Sequence, residues 1–118
     1  MKNQAYRMTL LFDFYGEMLT ERQKEFYDLY YNEDLSLTEI AENYHMSRQG
    51  VRDAIVRAEA VLNELEEKTG LIQRFQEQTR DLHQLQELTD ATRAANQDPV
   101  VDDYLRRIQD LCAKLKQE

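Results

Sequence analysis

The stretch LSLTEIAENYHMSRQGVRDAI, residues 35–55, decides the fold because it contains two helix starts eleven residues apart. Ser36 is followed three places on by Glu39, which is a capping box: the hydroxyl accepts from the third helical amide and the carboxylate accepts from the cap amide. A helix is therefore predicted from the next residue on. Ser47 can cap a second helix in the same way, although Gly50 has no side chain to complete the reciprocal bond.

The residues between these two helices predict a tight turn. His45 is expected to adopt a positive φ there, because histidine is one of the non-glycine residues enriched in the left-handed region. Apolar residues on both sides of the turn recur at helical spacing. They are Ile40, Ala41 and Tyr44 before it, Met46 within it, and Val51, Ala54, Ile55 and Ala58 after it. This pattern is typical of a helix-turn-helix unit.

The second helix of this unit is the candidate DNA-reading helix. Its apolar stripe leaves Arg48, Gln49, Arg52, Asp53 and Val56 on the opposite side, with Arg57 at the flank. Residues at the start of such a helix reach base edges in the major groove, where arginine suits guanine and glutamine suits adenine. The predicted nucleic-acid-binding residues are Ser47, Arg48, Gln49, Arg52 and Arg57, with the helix start at Ser47 and the Arg57 side chain assigned to phosphate.

Composition indicates a small all-α protein. The chain has 118 residues, enough for one domain with a helical extension, and 32% of them are charged while Gly and Pro are scarce. The net charge is −8: residues 1–70 carry 8 Lys or Arg against 14 Asp or Glu, and residues 71–118 carry 7 against 9. Because neither part is basic, bulk attraction to nucleic acid is excluded and any DNA contact must be local.

The rest of the first 70 residues supports a helix-turn-helix domain over 1–70. Within Tyr6–Met18 six apolar or aromatic residues form a broad helical stripe that is expected to be core: Leu10, Leu11, Phe12, Phe14, Tyr15 and Met18. Thr20, with Gln23 three places on, forms a second capping box, which starts a further helix. The reading helix is expected to continue to residue 67 or 68, with the acidic pair Glu66-Glu67 solvated and Gly70 as its stop.

Residues 71–118 predict a C-terminal helical extension. Apolar residues at intervals of three, four and seven indicate a long helix packed along one face. It should end within residues 94–97. A last helix should then begin, with Asp98 as its cap and Pro99 as its first helical residue. The two helices should form an antiparallel hairpin with spare apolar surface. We therefore expect an oligomerisation arm and a homodimer.

Few residues suggest a catalytic, metal-binding or cofactor-binding site. Cys112 is the only cysteine, which excludes an internal disulfide and fits a reducing compartment. No apolar run approaches the length of a membrane span, and no secretion signal follows Lys2, so we expect a cytoplasmic protein without membrane insertion. His45, His83 and Cys112 lack neighbours at metal-ligand spacing, and no glycine-rich phosphate loop is present. No cofactor, metal site or enzymatic activity is expected.

Residues spread over positions 8–70 form a further pattern, which joins aromatic and capping residues outside the helix-turn-helix unit to residues within it. They are Leu11-Phe12-Asp13-Phe14-Tyr15, Leu19-Thr20, Gln23, Tyr30-Tyr31, Asp34, Ser36-Leu37, Glu39-Ile40-Ala41, Ser47-Arg48-Gln49, Val51, Asp53, Ile55 and Arg57. The pattern resembles the YlxM family of small bacterial helix-turn-helix proteins. It is specific, because the unit alone would look equally like the fourth region of a sigma factor. Residues 71–118 resemble the family only in helical character.

The resemblance implies a cytoplasmic protein similar to sigma region four, encoded beside the signal recognition particle GTPases and acting in that secretion pathway. Three positions depart from the family pattern. Gly50 stands where members usually have Ala, Arg52 where they have Tyr, and His45 where Gly is frequent. Within a helix, Gly50 costs about 1 kcal/mol relative to Ala.

Two hypotheses for the function remain open. The first is a sequence-specific DNA-binding regulator that uses the predicted residues of the reading helix. The second is a protein or ribonucleoprotein accessory factor of the signal recognition particle, whose acidic surface meets a basic partner. Asp53 and the overall charge favour the second hypothesis, whereas the geometry of the unit and the frequency of this fold among DNA-binding proteins favour the first.

Overall fold

The structure, a computed structural model, is all-α and describes residues 2–116. Within this range there are six α-helices, one short 3-10 helix and no strand, so the predicted all-α class is confirmed. The helices are α1 (Lys2–Tyr15), α2 (Glu21–Tyr31), α3 (Leu37–Asn43), α4 (Arg48–Thr69), α5 (Leu71–Ala95) and α6 (Pro99–Lys116), with the 3-10 helix at Gly16–Met18. Residues 1, 117 and 118, which close the predicted domain bounds, lie outside the described residues.

Side-chain caps begin α2 and α3 as predicted. Thr20 Oγ1 accepts from the Gln23 amide at 3.2 Å, and Gln23 Oε1 accepts from the Thr20 amide at 3.0 Å. Ser36 and Glu39 form the same pair of bonds, at 3.1 and 3.2 Å. Gly70 ends α4 with a φ of 62°, which glycine adopts without strain, and its amide donates to the Glu66 carbonyl at 2.8 Å. The local sequence therefore sets these helix ends.

The chain divides into two compact units, one ending at Ile72 and the other starting at Gln73. The first unit has two clusters of buried side chains. The first cluster contains Leu11, Tyr15, Leu19, Tyr27, Ala58, Leu62 and Ile72. The second contains Phe26, Ile40, Ala41, Val51 and Ile55. Because α4 contributes to both clusters, its start is fixed against α2 and α3 while its later turns pack against α1.

The stripe expected to be core between Leu10 and Met18 was wrong at two of its six positions. Phe14 and Met18 are exposed, and Met18 keeps 68% of its surface. For Met18 the cause is that α1 ends at Tyr15 and the chain continues as a tighter 3-10 turn, which changes the helical phase. Leu19 is buried in place of Met18.

The expectation that Glu66 is solvated was also wrong, since only 9% of its surface is exposed. It lies one turn after Leu62 on the buried face of α4. Its Oε1 atom accepts from the Tyr15 hydroxyl at 2.5 Å and from the Ile72 amide at 2.9 Å. Hydrogen bonding thus compensates for burial of this carboxylate.

The second unit is a helical hairpin formed by α5 and α6. Thr89, Leu105 and Cys112 are buried in it. Arg93 joins the two helices, because its Nε donates to Asp102 Oδ1 at 2.8 Å and its Nη1 donates to Gln109 Oε1 at 2.9 Å. The predicted start of the last helix is confirmed: α6 begins at Pro99, and Asp98 Oδ1 accepts from the Val100 amide at 2.9 Å.

Candidate nucleic-acid interface

The turn between α3 and α4 has the predicted conformation. His45 has a φ of 54°, in the left-handed region, and the Met46 amide donates to the Ala41 carbonyl at 3.0 Å. Side chains of α2 support this turn: the Tyr44 hydroxyl donates to Glu25 Oε1, and Arg22 Nη1 lies 3.6 Å from the Met46 sulfur. The start of α4 is therefore held by the turn before it and by a helix behind it.

The first turn of α4 is closely packed around Gly50. Ser47 caps the helix, since its Oγ accepts from the Gly50 amide at 2.9 Å. A Cβ atom added to Gly50 would lie 3.0 Å from that Oγ and 3.4 Å from the Met46 methyl carbon. An alanine here would have to displace the capping hydroxyl slightly. This crowding offsets part of the gain in helix propensity that an alanine would bring at this position.

All five predicted nucleic-acid-binding residues are exposed: Ser47, Arg48, Gln49, Arg52 and Arg57. The opposite face of α4 is buried through Val51, Ile55 and Ala58, so the core fixes the rotation of the helix about its axis. Asp53 and Val56 share the exposed face, as the periodicity predicted. The geometry thus leaves the side of α4 that carries the arginines open to solvent.

The polar side chains of this face differ in their partners. Gln49 Nε2 donates to Asp53 Oδ1 at 2.9 Å, and Arg52 Nη1 lies 4.0 Å from the same oxygen. Arg48 and Arg57 form no ion pair with any residue in the part of the chain that the structure describes. The bond between Gln49 and Asp53 was not predicted, although their spacing of four residues is one that brings side chains together on a helix.

A small cavity lies beside the exposed face of α4. It has a volume of about 140 Å³ and is lined by Tyr30, Tyr31, Leu37, Arg52, Ile55, Val56 and Glu59. The Tyr31 hydroxyl donates to Glu59 Oε1 at its wall, and burial is the main cause of the raised pKa of Tyr31. The cavity is large enough for one apolar side chain of a partner.

Neither a metal-binding cluster nor a membrane-spanning helix occurs among the described residues. Within residues 2–116, no three His, Cys, Asp or Glu side chains lie close enough together to hold a metal ion. No helix in that range combines the length and the apolar character needed to cross a membrane.

Comparison with known proteins identifies the family. Residues 2–102 match the family model UPF0122, described as "Putative helix-turn-helix protein, YlxM / p13 like". The chain belongs to the UPF0122 family. This result agrees with the resemblance stated from the sequence, and the family description names a helix-turn-helix and no catalytic activity.

Individual UPF0122 proteins are similar over most of their length. A UPF0122 protein of Bacillus licheniformis is 52% identical over 84 residues, which is 71% of this chain and 78% of the relative. One of Desulforamulus reducens is 48% identical over 87 residues, 74% of each chain. One of Bacillus cereus is 46% identical over 98 residues, 83% of this chain and 89% of the relative.

Proposed function

We propose that this protein is a DNA-binding regulatory protein that reads base sequence with the start of α4 and acts in the signal recognition particle pathway. The observation that carries the DNA part is the exposed face of α4. Arg48, Gln49 and Arg52 lie on it near the capped helix start, and Arg48 and Arg57 are free of ion pairs with the described residues. The assignment to the secretion pathway rests on the resemblance to the YlxM family.

Each polar residue of this face has a separate proposed role. Gln49 and Arg52 contact adenine and guanine edges, and Arg48 lies in the first turn of the helix that enters the groove. Arg57 and the amides at the Ser47 helix start contact phosphate, because helix N-termini attract anions. With so few phosphate contacts, affinity should fall with salt less steeply than for a basic repressor.

The protein is further proposed to act as a homodimer assembled through residues 71–118. The support is a set of exposed large apolar side chains in the second unit: Leu85, Leu88, Val100, Val101, Tyr104, Ile108, Leu111 and Leu115. Exposed apolar surface of this extent is typical of interaction sites. A two-fold dimer would present two copies of α4, and groove binding requires them to be about 34 Å apart or a multiple of that distance.

A second candidate function is that of an accessory factor of the signal recognition particle that does not read DNA. Two observations favour it. The net charge of −8 suits a basic protein or ribonucleoprotein partner. The cavity beside Arg52 would accept an apolar side chain from such a partner.

Selection of binding sequences from a random DNA pool tests the two candidates against each other. DNA reading predicts enrichment of a sequence by the full-length protein. Arg52→Ala should then cost about 1–3 kcal/mol on that sequence, whereas Arg57→Ala should weaken the selected and random duplexes equally. If nothing is enriched, and the protein still co-purifies with the signal recognition particle after Arg52→Ala, the accessory function takes the place of DNA reading.

A further inference from the structure

Asp53 lies between the two candidate base-reading side chains, and the function proposed above gives it no role. Its Oδ1 atom accepts from Gln49 and is 4.0 Å from Arg52. All three side chains are exposed, so the arrangement is not needed to satisfy a buried polar group. Because exposed pairs of this kind contribute little to stability, an effect on the reading face is the better explanation.

We infer that Asp53 is a positioning residue that sets DNA specificity, by orienting the Gln49 amide toward a base edge and by lowering the affinity of the face for phosphate. This inference rests on the proposed DNA-reading function.

The orientation of Gln49 follows from the chemistry of the two groups. An ionised carboxylate can only accept hydrogen bonds, so Gln49 must present its amide nitrogen, and not its oxygen, to Asp53. That nitrogen carries two protons, and one of them is donated to Asp53 in a hydrogen bond. The second proton and the carbonyl oxygen remain available, and adenine offers the matching acceptor and donor in the major groove. Holding the amide before binding also reduces the side-chain entropy lost on binding.

The effect on Arg52 concerns discrimination between base and phosphate. At 4.0 Å the contact with Asp53 is an ion pair without a hydrogen bond, and both side chains are about half exposed, so Arg52 can leave it for a guanine edge at small cost. A phosphate attracts Arg52 but is repelled by the adjacent carboxylate. Since phosphate contacts carry no sequence information, Asp53 lowers affinity for random DNA more than affinity for the correct site.

Replacement of Asp53 in the full-length protein tests the inference, with fluorescence anisotropy on a random-sequence duplex and on the pool-selected duplex. Asp53→Ala should bind the random duplex about fivefold more tightly, the effect of removing one repulsive contact at about 4 Å. Its salt slope should steepen by about one, because Arg52 becomes free to neutralise a phosphate. The ratio of selected to random affinity should fall.

Glu67→Ala is the matched control. Glu67 is an exposed carboxylate on the same helix, and its replacement makes the same change in net charge about 21 Å farther along α4. It should leave both affinities and the salt slope unchanged. If Glu67→Ala and Asp53→Ala strengthen random binding equally, net charge explains the result and the positioning role is overturned.

A double-mutant cycle with Gln49→Ala tests whether Asp53 acts through Gln49. The two substitutions should be non-additive on the selected duplex, because each removes the same oriented amide. Additive losses would mean that Asp53 contacts a base itself, which overturns the inference while the proposed DNA reading stands. A pool that enriches no sequence overturns the proposed function and the specificity role together.

Discussion

Replacing Tyr15 by Phe should destabilise the first unit through the buried Glu66 carboxylate. The tyrosine hydroxyl donates to Glu66 Oε1 at 2.5 Å, and its oxygen lies 2.6 Å from Thr69 Oγ1. Because the single tyrosine proton is used on Glu66, the Thr69 hydroxyl donates to the tyrosine oxygen. Phenylalanine keeps the ring in the core and removes the donor. The substitution therefore isolates the hydrogen bonds from the packing.

The expected loss follows from the environment of this bond. Tyr15 and Glu66 keep only 5% and 9% of their surfaces exposed, so water cannot easily replace the lost donor. A hydrogen bond to a charged group contributes about 1.5–3 kcal/mol. The Ile72 amide still donates to the same carboxylate, which limits the cost. We expect the free energy of unfolding to fall by about 2 kcal/mol.

Urea unfolding followed by circular dichroism at a fixed protein concentration measures this change. For a slope m of about 2 kcal/mol per molar urea, the midpoint should fall by about 1 M with m unchanged. Tyr6→Phe is the control, because Tyr6 is 66% exposed and should change the midpoint little. A loss of less than about 0.5 kcal/mol relative to that control would refute the role given to the hydroxyl.

Two further predictions concern tyrosine ionisation and the helix cap. Burial raises the pKa of the Tyr27 and Tyr31 phenols above the ordinary value of 10.0. The contribution of these two groups to stability should therefore be constant below about pH 10 and fall as the pH rises further, because the unfolded chain loses these protons first. Tyr27→Phe should reduce that alkaline loss in urea midpoints, and an unchanged pH dependence would contradict the assignment. Gly50→Ala should stabilise the protein by about 1 kcal/mol in a Ser47→Ala background, but by clearly less when Ser47 is present, because the new Cβ crowds its Oγ. If Gly50→Ala raises the thermal unfolding temperature equally with and without the Ser47 hydroxyl, the crowding has no effect.

The parts of the fold that the sequence predicted depend on neighbours along the chain. The capping boxes at Thr20 and Ser36 join residues three apart, and Gly70 and Asp98-Pro99 act within a single turn. The positive φ of His45 also follows from a short turn between two capped helices. Interactions of this range are specified by residue type and spacing. They also place the start of α4, and therefore the candidate interface.

The parts that were missed depend on contacts between distant residues. Tyr15 and Glu66 are 51 positions apart, and nothing in the local sequence of either residue indicates the bond. A glutamate on the buried face of α4 looks like any solvated glutamate until its donors are known. The positive φ of Asp34 has a local signal, since aspartate is enriched in the left-handed region, and could have been predicted.

The candidate site shows the same division. Helical periodicity was sufficient to predict the exposure of Arg48, Gln49, Arg52 and Arg57, because their placement depends only on which face of α4 is buried. Periodicity does not show which of these side chains are already held by a neighbour. The structure adds that Gln49 and Arg52 share the carboxylate of Asp53.

The most direct test of DNA reading by α4 is an amide chemical-shift map of the full-length protein, recorded while it is titrated with the pool-selected duplex. The largest changes should fall within residues 47–57, with smaller changes on adding a random duplex, because only the selected sequence brings the exposed face of α4 against base edges. Changes confined to residues 73–116, or equal responses to both duplexes, would contradict the proposal that α4 reads DNA.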